Sequence, residues 1–147
     1  MPVQNKKARF DYEIIETYDA GAVLSGHEVK ALRAGKGMLE GARVVVRGAE
    51  AYLLGATIPP YQVGNTPAGY EPGRTRKLLL NKKEIIELAA AEGQKGLTIV
   101  PLKWYNKGRV LKLSLAVARH KKKQDKRATL RERDTKREID RSLKGKY

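Results

Sequence analysis

The chain has 147 residues, with 31 Lys or Arg against 16 Asp or Glu and no cysteine. That length suits one domain with a core of its own, and the missing thiols exclude disulfides, thiolate zinc sites and Cys nucleophiles. A net charge of +15 points to a polyanion partner; no run approaches the ~20 apolar residues of a membrane span, and the start has no signal-peptide core, so a cytoplasmic protein is expected.

In RFDYEIIETY, Phe10, Tyr12 and Ile14 alternate with polar residues and predict a first strand, with a turn at Asp19-Ala20-Gly21. Ser25-Gly26-His27-Glu28 then has the spacing of a capping box, and a short helix with Val29 and Leu32 on one face runs to a stop at Gly35. ARVVVRGAEAYLLGATI reads as a hairpin, with Val44 and Val46 answering Tyr52 and Leu54 across RGAE. Residues 59–77 hold four of the six prolines and predict a long loop of the kind that carries function.

A second helix starts at Asn81, with Glu84 three residues on, Ile85, Leu88 and Ala89 along one face, and Gly93 at its end. The stretch from Gly96 to Val117 is a hairpin around Asn106-Lys107-Gly108, in which Leu111, Leu113, Leu115 and Val117 alternate. About six strands and two short helices without βαβ spacing fit a mainly β fold, a small OB-like antiparallel barrel over residues 1–118.

Residues 119–147 are a basic tail with thirteen Lys or Arg against five Asp or Glu. Glu132 with Lys136 and Asp140 with Lys144 are acid-before-base pairs, each adding about 0.2–0.5 kcal/mol to a helix. Ordering costs ~1–2 kcal/mol per residue. The tail is therefore expected to be disordered when free and to become helical on a polyanion.

Little here points to catalysis. His27 and His120 have no second ligand at metal-binding spacing, so neither a metal nor a cofactor is expected. Gly21 and Gly26 have P-loop spacing, but His27-Glu28 stands where Lys-Ser/Thr is needed. What is abundant is phosphate-binding chemistry: Lys6-Lys7-Arg9, Lys30-Arg33-Lys36, Arg74-Arg76-Lys77 and Lys107-Arg109-Lys112 are clusters that would release counterions from a nucleic acid. Tyr61, Tyr70, Trp104 and Tyr105 lie among them as candidate stacking platforms, although a Trp is more often core.

Several stretches then resemble one family. NKKARFDYEIIETYDAGAVLSGHEVKALRAGKG, RKLLLNKKEI, GLTIVPLKWYNKGRVLKLSLAVARHKKKQDKR and RERDTKREID, in this order over residues 5 to 141, are similar to the SsrA-binding protein (SmpB) family. The resemblance implies an OB-like barrel that binds the tRNA-like domain of transfer-messenger RNA. It also implies delivery of that RNA to stalled ribosomes for trans-translation, with elongation factor Tu and alanyl-tRNA synthetase as partners through the RNA. By position, the barrel's RNA face would include Asn5, Asp19 and Leu79, with Lys7, Arg9, Lys30, Arg33, Arg76 and Lys77 at phosphates. Lys121, Lys122, Gln124, Asp125, Lys126 and Arg127 would enter the decoding centre, the rest of the tail lying in the empty mRNA channel.

Three residues depart from the family pattern: Asp19 stands for a usual Glu, Gln124 for a His or Tyr, and His120 for a Gly. Glutamine hydrogen-bonds but stacks poorly. Two rival readings follow from composition, a ribosomal protein with an rRNA-threading extension and an RNA-processing enzyme. Retention through a high-salt wash would mark the first, and turnover the second.

Overall fold

The longest pairings in the computed structural model join β6 (Leu97–Lys107) to β7 (Val110–His120), and β7 to β2 (Tyr12–Ala22). The structure describes residues 3–62, 64 and 66–121. Leu111, Leu113, Leu115 and Val117 all point inward, as their alternation predicts, and the hairpin turns at Gly108-Arg109 with Gly108 at φ 64°. The opposite face of β7 is also covered at its far end, because Ala116 and Ala118 are small enough for a helix to lie on them.

That helix, α1 (Lys6–Asp11), occupies residues expected to begin the first strand. Asn5 makes it: its Oδ1 accepts from the Ala8 N–H at 3.1 Å, while Nδ2 donates to Leu39 O and Pro101 O at 3.1 and 2.9 Å. Ala8 then packs with Val100, Leu102, Ala116 and Ala118 in a second, smaller core. A two-residue strand, β1 (Val3–Gln4), leads into it and pairs with β6.

β2 does not turn at Asp19-Ala20-Gly21. It runs on to Ala22, with Asp19 opposite Ser114 on β7 and Gly21 opposite Leu79 on β5 (Arg76–Leu79). Pairing on both sides overrides the local turn propensity, and Ala20 is fully buried there. A bulge between Ile14 and Glu16 shifts the register earlier in the strand.

The two capping boxes form as expected. Glu28 accepts from the Ser25 N–H at 2.9 Å at the start of α2 (Gly26–Arg33), and Glu84 accepts from the Asn81 N–H at 3.1 Å at the start of α3 (Lys82–Glu92). After α2, Lys36 N donates to Ala31 O and Gly35 N to Leu32 O, a Schellman pair with Gly35 at φ 78°. In α3 the buried residues are Leu88 and Ala91; Ala89, expected on that face, is exposed.

β3 (Arg43–Arg47) and β4 (Glu50–Leu54) form the expected hairpin, but slipped by one residue. Val44 opposes Leu53 and Val46 opposes Ala51, because the turn is the two-residue Gly48-Ala49 with φ of 58° and 62°. The slip turns Ala51 and Leu53 inward instead of Tyr52 and Leu54.

The antiparallel sheet is ordered β1-β6-β7-β2-β5-β4-β3 and curls until β3 nears β6 without pairing to it. α3 packs on both strands at this seam, and its Glu92 accepts from the Val46 N–H at 2.8 Å. The fold is therefore an OB-like barrel left open along one seam, with seven strands and three helices among the described residues.

Candidate nucleic-acid interface

One face of the sheet stays open beside the start of α3. Asp19 on β2, Lys112 on β7, and Lys77 and Leu79 on β5 line a shared depression of about 540 Å³. Leu79 is 53% exposed and lies over Gly21, where a Cβ would stand 3.3 Å from the Leu79 Cβ. A side chain at Gly21 would displace Leu79. Tyr105 on β6 has the Asp19 carboxylate within electrostatic reach. Burial first, and then that carboxylate, push the Tyr105 phenol up to about 12. Lys103 sits over the same ring at 5.4 Å. Lys77 pairs with Glu50 at 2.9 Å, an exposed, solvent-screened contact that leaves Lys77 available to another anion.

Of the nine barrel residues expected at an RNA face, Asp19, Lys77 and Leu79 lie together in this depression. Lys30 and Arg33 lie elsewhere, exposed on α2, where Arg33 Nη2 donates to Arg109 O at 2.7 Å and ties the β6–β7 turn to the helix. Lys36 reaches over the Tyr61 ring at 5.4 Å, and Tyr61 is 37% exposed. Lys7 and Arg9 are exposed on α1. These groups make basic surfaces with an accessible aromatic, a chemistry that suits RNA.

Two expected contact residues are buried. Arg76 is 0% exposed and donates to Glu28 Oε2 from Nε at 2.9 Å and Nη2 at 2.7 Å. It also donates to the carbonyls of Ala56, Arg74 and Pro72. All its donor groups are spent inside, so Arg76 is not a surface phosphate contact; it ties the loop before β5 to α2. Asn5 is 2% exposed and satisfied by its cap and two carbonyls, so it is no surface contact and its place is structural, at the start of α1.

The residue at the centre of this network, Glu28, was read from the sequence only as half of a capping box. It also accepts from Arg74 and from the Tyr70 hydroxyl, the latter at 3.1 Å. Burial alone would raise its carboxyl, but hydrogen bonds from Arg74, Ser25 N–H and Arg76, with the Arg76 charge, hold it at about 2. Tyr70 is pinned by this contact and by Ile58 O at 2.7 Å. Trp104 is 1% exposed, a core residue and no stacking platform.

His120 ends β7, with its ring edge-on to Tyr12 at 5.2 Å, and Lys121 N donates to Asp11 O at 2.8 Å. Lys122, Gln124, Asp125, Lys126 and Arg127 lie outside the described residues. Among the described residues there is no cluster of three metal-ligating side chains, and no helix long and apolar enough to cross a membrane.

The family model for "SmpB protein" matches residues 2–145. An SsrA-binding protein of Thermosynechococcus vestitus is 48% identical over 141 residues, covering 96% of this chain and 93% of the relative. One from Chelativorans is 51% identical over 141 residues, covering 95% and 90%. A chain of the solved structure "tmRNA-SmpB: a journey to the center of the bacterial ribosome" has a TM-score of 0.70 at 46% identity, covering 83% of this chain and 85% of its own. On the family match and these identities, the chain belongs to the SmpB family.

Proposed function

We propose that this protein binds the tRNA-like domain of transfer-messenger RNA through its barrel and brings that RNA to stalled ribosomes for trans-translation. The observation that carries the reading is the likeness, at 46% identity and over most of both chains, to a protein solved as part of tmRNA-SmpB on the bacterial ribosome. The open face supports it: Asp19 offers a carboxylate to a base or 2′-OH, Leu79 an apolar surface, and Lys77 and Lys112 charge for phosphates. Lys7, Arg9, Lys30 and Arg33 extend the cationic surface on α1 and α2.

On this reading the protein does no bond-making chemistry. Elongation factor Tu and alanyl-tRNA synthetase meet it through the RNA, and the setting is the cytoplasm. The tail, from Lys121 through Lys122, Gln124, Asp125, Lys126 and Arg127, takes the place of codon–anticodon pairing in the decoding centre. Replacing Asp125, Lys126 and Arg127 with Ala in the full chain tests the division of labour. Binding to isolated transfer-messenger RNA is expected to persist while tagging of stalled peptides is lost. Loss of high-affinity binding to the isolated RNA would overturn it.

A further inference from the structure

The far end of β7 has a strand neighbour on one side only. Its last rung with β6 is Arg119 opposite Leu97, so His120 is paired with Tyr12 of β2 and with nothing on the β6 side. Strand ends held by a single neighbour open readily. This end is also where the chain continues into its basic tail, at Lys121.

Two contacts hold that end. The His120 ring stands edge-on to the Tyr12 ring, with 5.2 Å between centroids and 74° between planes. Lys121 N then donates to Asp11 O at 2.8 Å, one bond beyond the strand. Asp11 is the last residue of α1, and Tyr12 is its C-cap, with its N–H donating to Ala8 O. Tyr12 also packs on the second core, in which Ala8 seats α1. The root of the tail is thereby fastened to α1 by a ring pair and a backbone bond, both made to anchored residues. His120 Nδ1 lies 3.2 Å from Lys121 O as well, an exposed contact open to water. The family pattern has Gly in place of His120, and Gly has no ring to set against Tyr12.

We infer that Tyr12 and His120 form an aromatic clasp, a positioning pair that fixes where the tail leaves the barrel and so lowers the entropy lost when the tail enters its site on the ribosome. The inference rests on the reading of the tail as the part that enters the decoding centre. Asp19 is seven residues further along β2 than Tyr12, a separation of about 20 Å. Loss of the clasp therefore leaves the depression at Asp19 as it is.

The experiment measures tagging of stalled peptides by the full chain bound to transfer-messenger RNA, against the concentration of that complex. The variants are His120→Ala, His120→Phe, Tyr12→Leu with and without His120→Ala, and the triple change of Asp125, Lys126 and Arg127 to Ala. His120 is exposed, so its substitutions are expected to leave the urea midpoint near that of the parent. His120→Ala is expected to raise the half-saturating concentration about two- to tenfold, the size of one aromatic pair, with the plateau rate and the affinity for the isolated RNA unchanged. Exchange of the Lys121 amide is expected to quicken by a similar factor. His120→Phe restores a ring and is expected to recover the parent's half-saturation. With Tyr12→Leu already present, His120→Ala is expected to cost less than twofold further. Its full cost in that background, or failure of His120→Phe to recover, would mean that the imidazole acts without Tyr12, and would overturn the inference. So would parent-like half-saturation or an unaltered Lys121 amide in His120→Ala. If the triple variant tags as the parent does, the reading of the tail fails first and the inference with it.

Discussion

Glu28 and Arg76 form an ion pair in which neither side chain has any solvent exposure, with Arg76 Nη2 2.7 Å from Glu28 Oε2. They are 48 residues apart in sequence, and their contact fastens the loop before β5 onto the first turn of α2. Removing one partner strands the other as a buried charge, which costs about 3–5 kcal/mol. Glu28→Ala and Arg76→Ala are each expected to lower the urea midpoint accordingly, whereas loss of a surface phosphate contact would leave it nearly unchanged. Equilibrium denaturation with RNA absent separates the two.

The same carboxyl sets a pH dependence. Its ordinary value is 4.5 and the fold holds it at about 2, so the folded state favours the ionised form. That stability is fully present above pH 4.5 and is lost as pH falls from there toward 2. The difference amounts to about 3 kcal/mol by linkage at ~1.4 kcal/mol per unit. Stability measured against pH is expected to fall more steeply in this window for the parent than for Glu28→Gln.

Asn5→Ala removes a helix cap and two hydrogen bonds to buried carbonyls at once. Such a loss costs about 1–3 kcal/mol. Amide exchange is expected to accelerate first in α1 and at the β1–β6 pairing, with the main core of the barrel protected. Any loss of RNA affinity should follow from that loosening.

Ala49 is the one non-glycine residue at positive φ among those described, at 62° in the turn between β3 and β4. An L-residue there bears a strain of about 1–2 kcal/mol, partly offset by the greater chain entropy glycine loses on folding. Ala49→Gly is expected to stabilise the protein by about 0.5–1 kcal/mol, read as a higher denaturant midpoint with unchanged slope.

Much of this fold was legible where a signal is local. Ser25 with Glu28, Asn81 with Glu84, and the alternation from Leu111 to Val117 each lie within one turn or one strand. Signals decided at a distance were not. α1 is six residues long, too short for a periodic stripe, and only Asn5 before Ala8 hints at its cap. The β3–β4 hairpin was recognisable, yet its register depended on which two of Arg47, Gly48, Ala49 and Glu50 form the turn. Asp19, Lys77 and Leu79 line one depression, whereas Arg76, adjacent to Lys77, points the other way. Strand alternation puts neighbours on opposite faces, but sequence alone did not say which of the two faces Glu28 would occupy.

The most direct test of the central claim is binding of the full chain to transfer-messenger RNA across a salt series, with tRNA as competitor. Each phosphate contact contributes about 0.7–0.9 to the slope of log affinity against log salt. Lys77→Ala and Lys112→Ala are accordingly expected to flatten the slope while preference for transfer-messenger RNA remains. The account predicts tight binding that survives both tRNA competition and moderate salt. Equal affinity for the two RNAs, collapsing together as salt rises, would contradict it and leave only a cationic protein with no reading face.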